Sequence, residues 1–204
     1  MLDYFQQRGQ RRGTHLFYMG LHYPTYILRK LGLISEAAFR KPWAENMAWY
    51  FRGYTPQQCQ AIWDWITDEY LPGHWRDDIR TVLESHLKAG EPVVLVSSGP
   101  LPLIQHIARE VGTDHAVGTQ LEMRDGRYTG LSLKPICIDT YKASMAQEYL
   151  QQLGLDINYQ GSHSYADSSS DLVVLEMVGS PVAVYPDEGL RKVAEGRGWR
   201  ILPE

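Results

Sequence analysis

The chain has 204 residues, enough for one sizeable core or for a core with a smaller accessory domain. Its 44% apolar and 22% charged residues are those of an ordinary soluble globular protein. The net charge of -4 gives no general drive toward nucleic acid or an anionic membrane, and no apolar run approaches the roughly 18 residues of a spanning helix.

Residues 1–12 lack the uninterrupted apolar stretch of a signal peptide. Cys59 and Cys137 are too few for a disulfide framework and fit a reducing compartment, so a cytoplasmic location is the expectation. Nothing in the sequence sets an oligomeric state.

From Asp3 to about Leu87 the pattern is helical. Leu16, Met19, Leu21, Tyr23, Tyr26 and Ile27 precede a stop at Gly32, and Ser35-Glu36 opens a second helix through Trp43, Met47 and Tyr50. Thr55-Pro56 is a helix start, with Thr as N-cap and Pro in the first turn. The helix that follows carries Cys59, Ile62, Trp63 and Ile66 and is broken by Pro72-Gly73. A last helix with Ile79, Val82, Leu83 and His86 ends at Gly90. This half is distinctive in composition. Residues 1–60 hold eight Lys/Arg and three Asp/Glu, a balance of +5 against -9 for the remainder, and sixteen of the 23 aromatics fall in residues 1–75. An aromatic helical core with a solvated basic face accounts for this, as does a subdomain that meets an anionic substrate or an acidic surface.

After Gly90 the period changes. Val93-Val94-Leu95-Val96 reads as a strand buried on both faces. Residues 101–111 read as a helix, 116–123 as a strand, and Asp125-Gly126 as a hairpin turn leading into a strand over 127–133. Helices over 141–153, 172–178 and 190–195 alternate with strands over 161–165, 182–185 and 199–202. This alternation predicts an α/β fold, Rossmann-like, with a doubly wound and mainly parallel sheet. The organisation expected is a helical subdomain with entry helices over 1–90 and an α/β core over 91–204.

Three places could carry chemistry. Asp167 and Asp171 stand four residues apart on a Ser-rich turn after a strand, Tyr165-Ala166-Asp167-Ser168-Ser169-Ser170-Asp171. Such a carboxylate pair suits magnesium, which takes one or two protein carboxylates and completes its shell with water and substrate phosphate; Asp and Ser are equally ordinary turn residues. Ser97-Ser98-Gly99 follows a strand and precedes a helix, where a hydroxyl and free backbone N–H groups make a phosphate site, or where a serine caps the helix. Lys142 falls in the first turn of a helix, a position that opposes the helix dipole unless an anion offsets it; it is otherwise a solvated surface lysine. Lys134 is a rival with weaker context, and Arg52 is either a substrate contact or a surface arginine. No Cys–His spacing resembles a zinc site, and no phosphate-binding loop or dinucleotide fingerprint is present.

In this order these stretches resemble the haloacid dehalogenase (HAD) superfamily of phosphatases, in its phosphoserine-phosphatase-like branch. Val93–Gly99, Thr140–Lys142 and Tyr165–Leu172 carry the resemblance, with Val178–Asp187 and Gly198–Leu202 behind them. It covers most of residues 75–204; residues 3–88 occupy the place of that branch's helical cap and match loosely. The resemblance implies a Mg²⁺-dependent phosphomonoester hydrolase that works on a small phosphorylated metabolite through an aspartyl-phosphate, with no nucleic-acid partner. By position, Ser97, with Ser98 and Gly99, would bind the phosphoryl group and Lys142 would neutralise its charge. Asp167 would ligate Mg²⁺, and Asp171 would support the metal and position Lys142.

Two departures stand out. Ala166 occupies a position where the family usually has glycine. More severely, the family's opening strand ends in Asp-x-Asp, which supplies the nucleophile, and no Asp-x-Asp occurs in this chain: Asp77 and Asp78 are adjacent, and Asp64 and Asp68 share a helical face. The expectation is therefore an N-terminally truncated phosphatase, inactive for want of its nucleophile, with about one strand and a short turn lying upstream of residue 1. The alternative is a non-catalytic HAD-like protein that binds a phosphorylated ligand or partner; an unrelated α/β hydrolase or nucleotide binder is a third reading.

Overall fold

The computed structural model describes residues 2–154 and 156–203, which divide into two compact units, Met1–Ile136 and Cys137–Glu204. In the larger unit, α1 (Leu2–Gln7), α2 (Arg12–Lys30), α3 (Glu36–Asn46), α4 (Pro56–Trp65) and α5 (Asp77–Lys88) follow one another. The start of α4 is a full capping box: Gln58 N–H donates to Thr55 Oγ1 at 3.2 Å, and Thr55 N–H donates to Gln58 Oε1 at 2.9 Å. Beyond α4 the chain tightens through Leu71–Gly73, a 3₁₀ turn carrying the helix-breaking Pro72-Gly73. The aromatic surplus of this half packs on itself. Tyr4, Phe5, Tyr18, Tyr50, Phe51 and Trp63 form one buried cluster, with Phe5 stacked on Tyr50 at 5.4 Å.

The same unit contains β1 (Val94–Pro100), α6 (Leu101–Glu110), β2 (His115–Thr119), β3 (Leu121–Arg124) and β4 (Arg127–Ser132). β1 and β2 pair in parallel across α6. The β3–β4 hairpin closes through Asp125 (φ 50°) and Gly126 (φ 72°), both left-handed as a two-residue hairpin turn requires. Leu121 and Tyr128 of this hairpin join the aromatic cluster of the helices.

Three sequence expectations need correction here. The strand expected over 116–123 is two, because the chain leaves one sheet for the other at Gln120, whose carbonyl accepts from Leu133 N–H at 2.9 Å. Val94, Leu95 and Val96 are half-buried rather than buried on both faces, since β1 is paired only to β2 among the described residues. Ser97, Ser98 and Gly99 do not follow the strand but belong to it. β1 runs on to Pro100, which pairs with Thr119 after an irregularity that begins at Val96.

The smaller unit is α7 (Thr140–Gln152), β5 (His163–Ala166), α8 (Leu172–Leu175), β6 (Ser180–Val184), α9 (Glu188–Arg197) and β7 (Arg200–Leu202). Its three strands are parallel in the order β5-β6-β7. Leu175, Ala183, Leu190 and Ala194 form its core, with Trp199 and Ile201 packed against them. The fold is thus α/β, with strands and helices alternating apart from the β2–β3–β4 run, and among the described residues only the β3–β4 hairpin is antiparallel. Among the described residues no helix is long and apolar enough to cross a membrane.

Candidate active site

Parallel strands with crossover helices leave a crevice outside their carboxyl ends, where ligands of open α/β sheets bind. In the smaller unit the chain leaves β5 at Ala166 and turns through Asp167 and Ser168 into the short helical turn Ser169–Asp171, then into α8. It leaves the neighbouring β6 through Tyr185 and Pro186 to Asp187, the N-cap of α9. The two exits are tied together. Asp187 N–H donates to the Asp167 carbonyl at 2.8 Å, and Asp187 Oδ2 accepts from Ser169 N–H at 2.9 Å and from Ser168 Oγ at 3.0 Å. Its other oxygen caps α9, accepting from Leu190 N–H at 2.7 Å. Burial raises the Asp187 pKa, but the Leu190 and Ser169 N–H groups and the Ser168 and Ser169 hydroxyls outweigh it and hold the carboxyl below its ordinary value.

Lys142 sits in the first turn of α7, and Nζ donates to Asp171 Oδ1 across 29 residues of sequence. The side chains are 6% and 18% exposed, so this is a buried ion pair rather than a solvated contact. Of the two readings of Lys142, the surface lysine is thereby excluded. The carboxylate supplies the anion that a cation in a first helical turn needs. Lys134 is the opposite case: 69% exposed, it pairs with Glu45 Oε1 at 2.8 Å on the surface.

Ser97, Ser98 and Gly99 lie on β1, in the other unit. Neither serine caps α6; Pro100 holds the N-cap position, without a side-chain cap. Ser97 Oγ accepts from Gly99 N–H at 3.2 Å, and the Ser98 carbonyl accepts from Thr119 Oγ1 at 2.9 Å. Gly118 on β2 lets the start of α6 come close, since a Cβ there would lie 2.9 Å from Leu101 Cα.

Of the residues singled out in the sequence, the structure brings Lys142 and Asp171 into contact and puts Asp167 on the same turn as Asp171. Asp187 was missed as a participant. Its signal was local, an Asp after a proline and three residues before the first buried apolar residue of a helix, which reads as an N-cap; its reach to Ser168 and Ser169 has no sequence signature.

Among the described residues no three His, Cys, Asp or Glu side chains gather as a metal-binding group. Asp167 and Asp171 offer hard oxygens only. Such a donor set fits Mg²⁺, which leaves the rest of its shell to water and phosphate, and not zinc, which takes three or four protein ligands.

The family model for haloacid dehalogenase-like hydrolases matches residues 1–176. A phosphoserine phosphatase of Mycobacterium tuberculosis is 34% identical over 152 residues, 74% of this chain and 49% of its own length. A histidinol-phosphatase of Neisseria meningitidis is 34% identical over 136 residues, 66% of this chain and 61% of its own length. The chain therefore spans about half to three-fifths of the length of these curated relatives. Among solved structures, a protein of unknown function from Bordetella pertussis superposes with a TM-score of 0.75 at 28% identity, over 86% of this chain and 78% of that one. A substrate-bound phosphoserine phosphatase, at 16% identity and a TM-score of 0.55, shares the fold over 87% of this chain and 84% of its own. With the family match extending over residues 1–176, past the Asp167–Asp171 turn, the chain belongs to the haloacid dehalogenase-like hydrolases.

Proposed function

We propose that this chain is the cap and core of a Mg²⁺-dependent phosphomonoester hydrolase of the cytoplasm that acts on a small phosphorylated metabolite, with residues 1–90 as cap and 91–204 as core. The buried Lys142–Asp171 pair beside Asp167, outside the carboxyl end of a parallel strand, carries this reading. A lysine held dry against one carboxylate is a fixed positive charge, and phosphoryl transfer is mainly positioning and charge stabilisation. Lys142 would neutralise the phosphoryl oxygens, Asp171 would hold Lys142 in place, and the Ser97 hydroxyl with the Ser98 and Gly99 backbone would bind the phosphate. Asp167, with Asp171 supporting, would hold Mg²⁺, which supplies further charge neutralisation when bound. Two cysteines, Cys59 and Cys137, are too few for a disulfide framework, which fits a reducing location. The two curated relatives named for phosphoserine and histidinol phosphate favour a small phosphomonoester.

An aspartyl-phosphate route needs a nucleophilic carboxylate on a strand end, and these 204 residues hold no Asp-x-Asp. The covalent step is therefore assigned to none of them. The chain alone is expected to release no phosphate from p-nitrophenyl phosphate with Mg²⁺, and a version extended by an apolar strand ending in Asp-x-Asp is expected to turn it over. In that extended enzyme Lys142→Ala and Asp167→Asn should each abolish turnover while circular dichroism stays unchanged. Near-wild-type rates in the Lys142 variant would remove the proposed role. Hydrolysis by the unextended chain, lost in Asp167→Asn, would show that the nucleophile lies among these residues.

A further inference from the structure

α2 packs one side into the aromatic cluster and leaves a second apolar face outside. Tyr18 and His22 are buried, with Tyr18 OH donating to the Trp43 carbonyl at 2.9 Å and Asn46 Nδ2 within 3.2 Å of His22 Nε2. On the opposite side Leu16, Phe17, Leu21, Tyr23, Ile27, Leu28 and Leu31 are exposed by 38% to 72%. At 3.6 residues per turn these seven fall in one arc of about 160°, and from Leu16 to Leu31 the stripe is about 22 Å long. Gly13, Gly20 and Pro24 share the arc, so no polar side chain interrupts it. Scattered apolar residues on a surface are normal, but a continuous stripe of this length marks an interaction face.

Charge says what covers it. Between Asp3 and Glu36 there is no acidic residue, while Arg8, Arg11, Arg12, Arg29 and Lys30 are present. Arg12 and Lys30, both exposed, lie on one margin of the arc at opposite ends of the helix. A second copy of the chain would set these like charges against one another across a twofold axis. An anionic bilayer meets both features at once: headgroups take the cations, and the acyl boundary takes Leu, Phe and Ile to a depth of about 5–10 Å.

We propose that α2 lies in the surface of an anionic membrane, as an interfacial helix that brings the phosphatase-like core to lipid without crossing it. The net charge of -4 does not oppose this, because attraction to a surface is set by charges within a Debye length of it, about 8 Å at physiological salt.

The test is co-sedimentation of the 204-residue chain with vesicles of phosphatidylcholine alone, or of phosphatidylcholine and phosphatidylglycerol in equal parts. The chain is expected to pellet with the mixed vesicles, to be released by high salt and to ignore phosphatidylcholine alone. Leu21→Ser with Leu28→Ser should lower the partition by at least about tenfold. Arg12→Gln with Lys30→Gln should lower it about thirtyfold. Both pairs are exposed, so circular dichroism should not change. No pelleting with the mixed vesicles, or pelleting that neither pair of substitutions alters, would overturn the proposal. So would a dimer in light scattering that the Leu21/Leu28 substitutions dissociate in a chain that ignores lipid, which would assign the face to a second copy. The readout is independent of phosphatase activity.

Discussion

Tyr18 and His22 are buried in the helical half while their sequence neighbours Phe17 and Leu21 stand in solvent; in the smaller unit it is a lysine, Lys142, that is buried. The two regions depart from ordinary burial in opposite directions. The helical half can hide polar rings because each finds a partner inside the aromatic cluster: Tyr18 OH has the Trp43 carbonyl, His22 has Asn46, and His15 Nδ1 lies 2.9 Å from Tyr50 OH. Burial keeps His22 neutral by lowering its pKa, and raises that of Tyr50 to about 12. The smaller unit hides a full charge, which requires a full counter-charge, and Asp171 provides it. One region therefore spends its chemistry on being stable and offers its apolar residues outward. The other keeps a charge dry against its counter-charge.

The sharpest way to break this comparison is to truncate two neighbours on α2. Tyr18→Ala removes a fully buried ring and a hydrogen bond and should destabilise the chain by about 3–5 kcal/mol. Phe17, 65% exposed and touching only the Trp49 ring at 5.4 Å among the ring contacts described, should cost under about 1 kcal/mol as Phe17→Ala. Urea denaturation of both variants decides it. Equal losses would mean that the Phe17 face is packed after all.

The smaller unit allows the complementary cut. Lys142→Ala leaves Asp171 buried without its cation, and such single removals cost about 3–5 kcal/mol, whereas replacing both partners by apolar side chains is often neutral. Lys142→Met with Asp171→Leu should therefore recover most of the stability that Lys142→Ala loses, while restoring none of the turnover of an extended enzyme. If the single substitution costs nothing in urea denaturation, the pair is a surface contact and the contrast with the helical half disappears. At the exposed Lys134–Glu45 pair, Lys134→Ala should cost about 0–1 kcal/mol.

Local signals in the sequence carried the elements well. Thr55-Pro56 is a capped helix start, Asp125-Gly126 a hairpin turn with both residues left-handed, and the alternation after Gly90 gives the α/β pattern. Information between distant residues was less legible. Lys142 in a first helical turn has the same local sequence context whether it faces water or Asp171, and only the packing of α7 beside α8 decides. The run 116–123 is apolar enough for one strand, yet pairing partners on two different sheets divide it at Gln120. The basic balance of residues 1–60 was visible, but not that α2 would bury Tyr18 and His22 and leave its leucines outside, because the helical period marks two faces without saying which one the core takes.

The smallest effect concerns the turn that carries Asp167. Asp187 holds it through Ser168 and Ser169 while capping α9, so Asp187→Ala removes a cap worth about 0.5–2 kcal/mol and frees both serines. Its carboxyl is held below the ordinary value of 3.8, so the folded state binds fewer protons than the unfolded one near that pH. Asp187 therefore contributes its full stability above pH 3.8 and loses it as the pH falls through the depressed folded-state value. Asp187→Asn retains a capping oxygen but does not titrate. Against wild type it should show a shallower fall in stability from about pH 5 to pH 2, read from denaturation midpoints. Identical acid profiles would mean that the carboxylate adds nothing to what a neutral cap supplies. The turn holding Asp167 would then be fixed by its backbone bond to Asp187 N–H, with the charge on the cap playing no part.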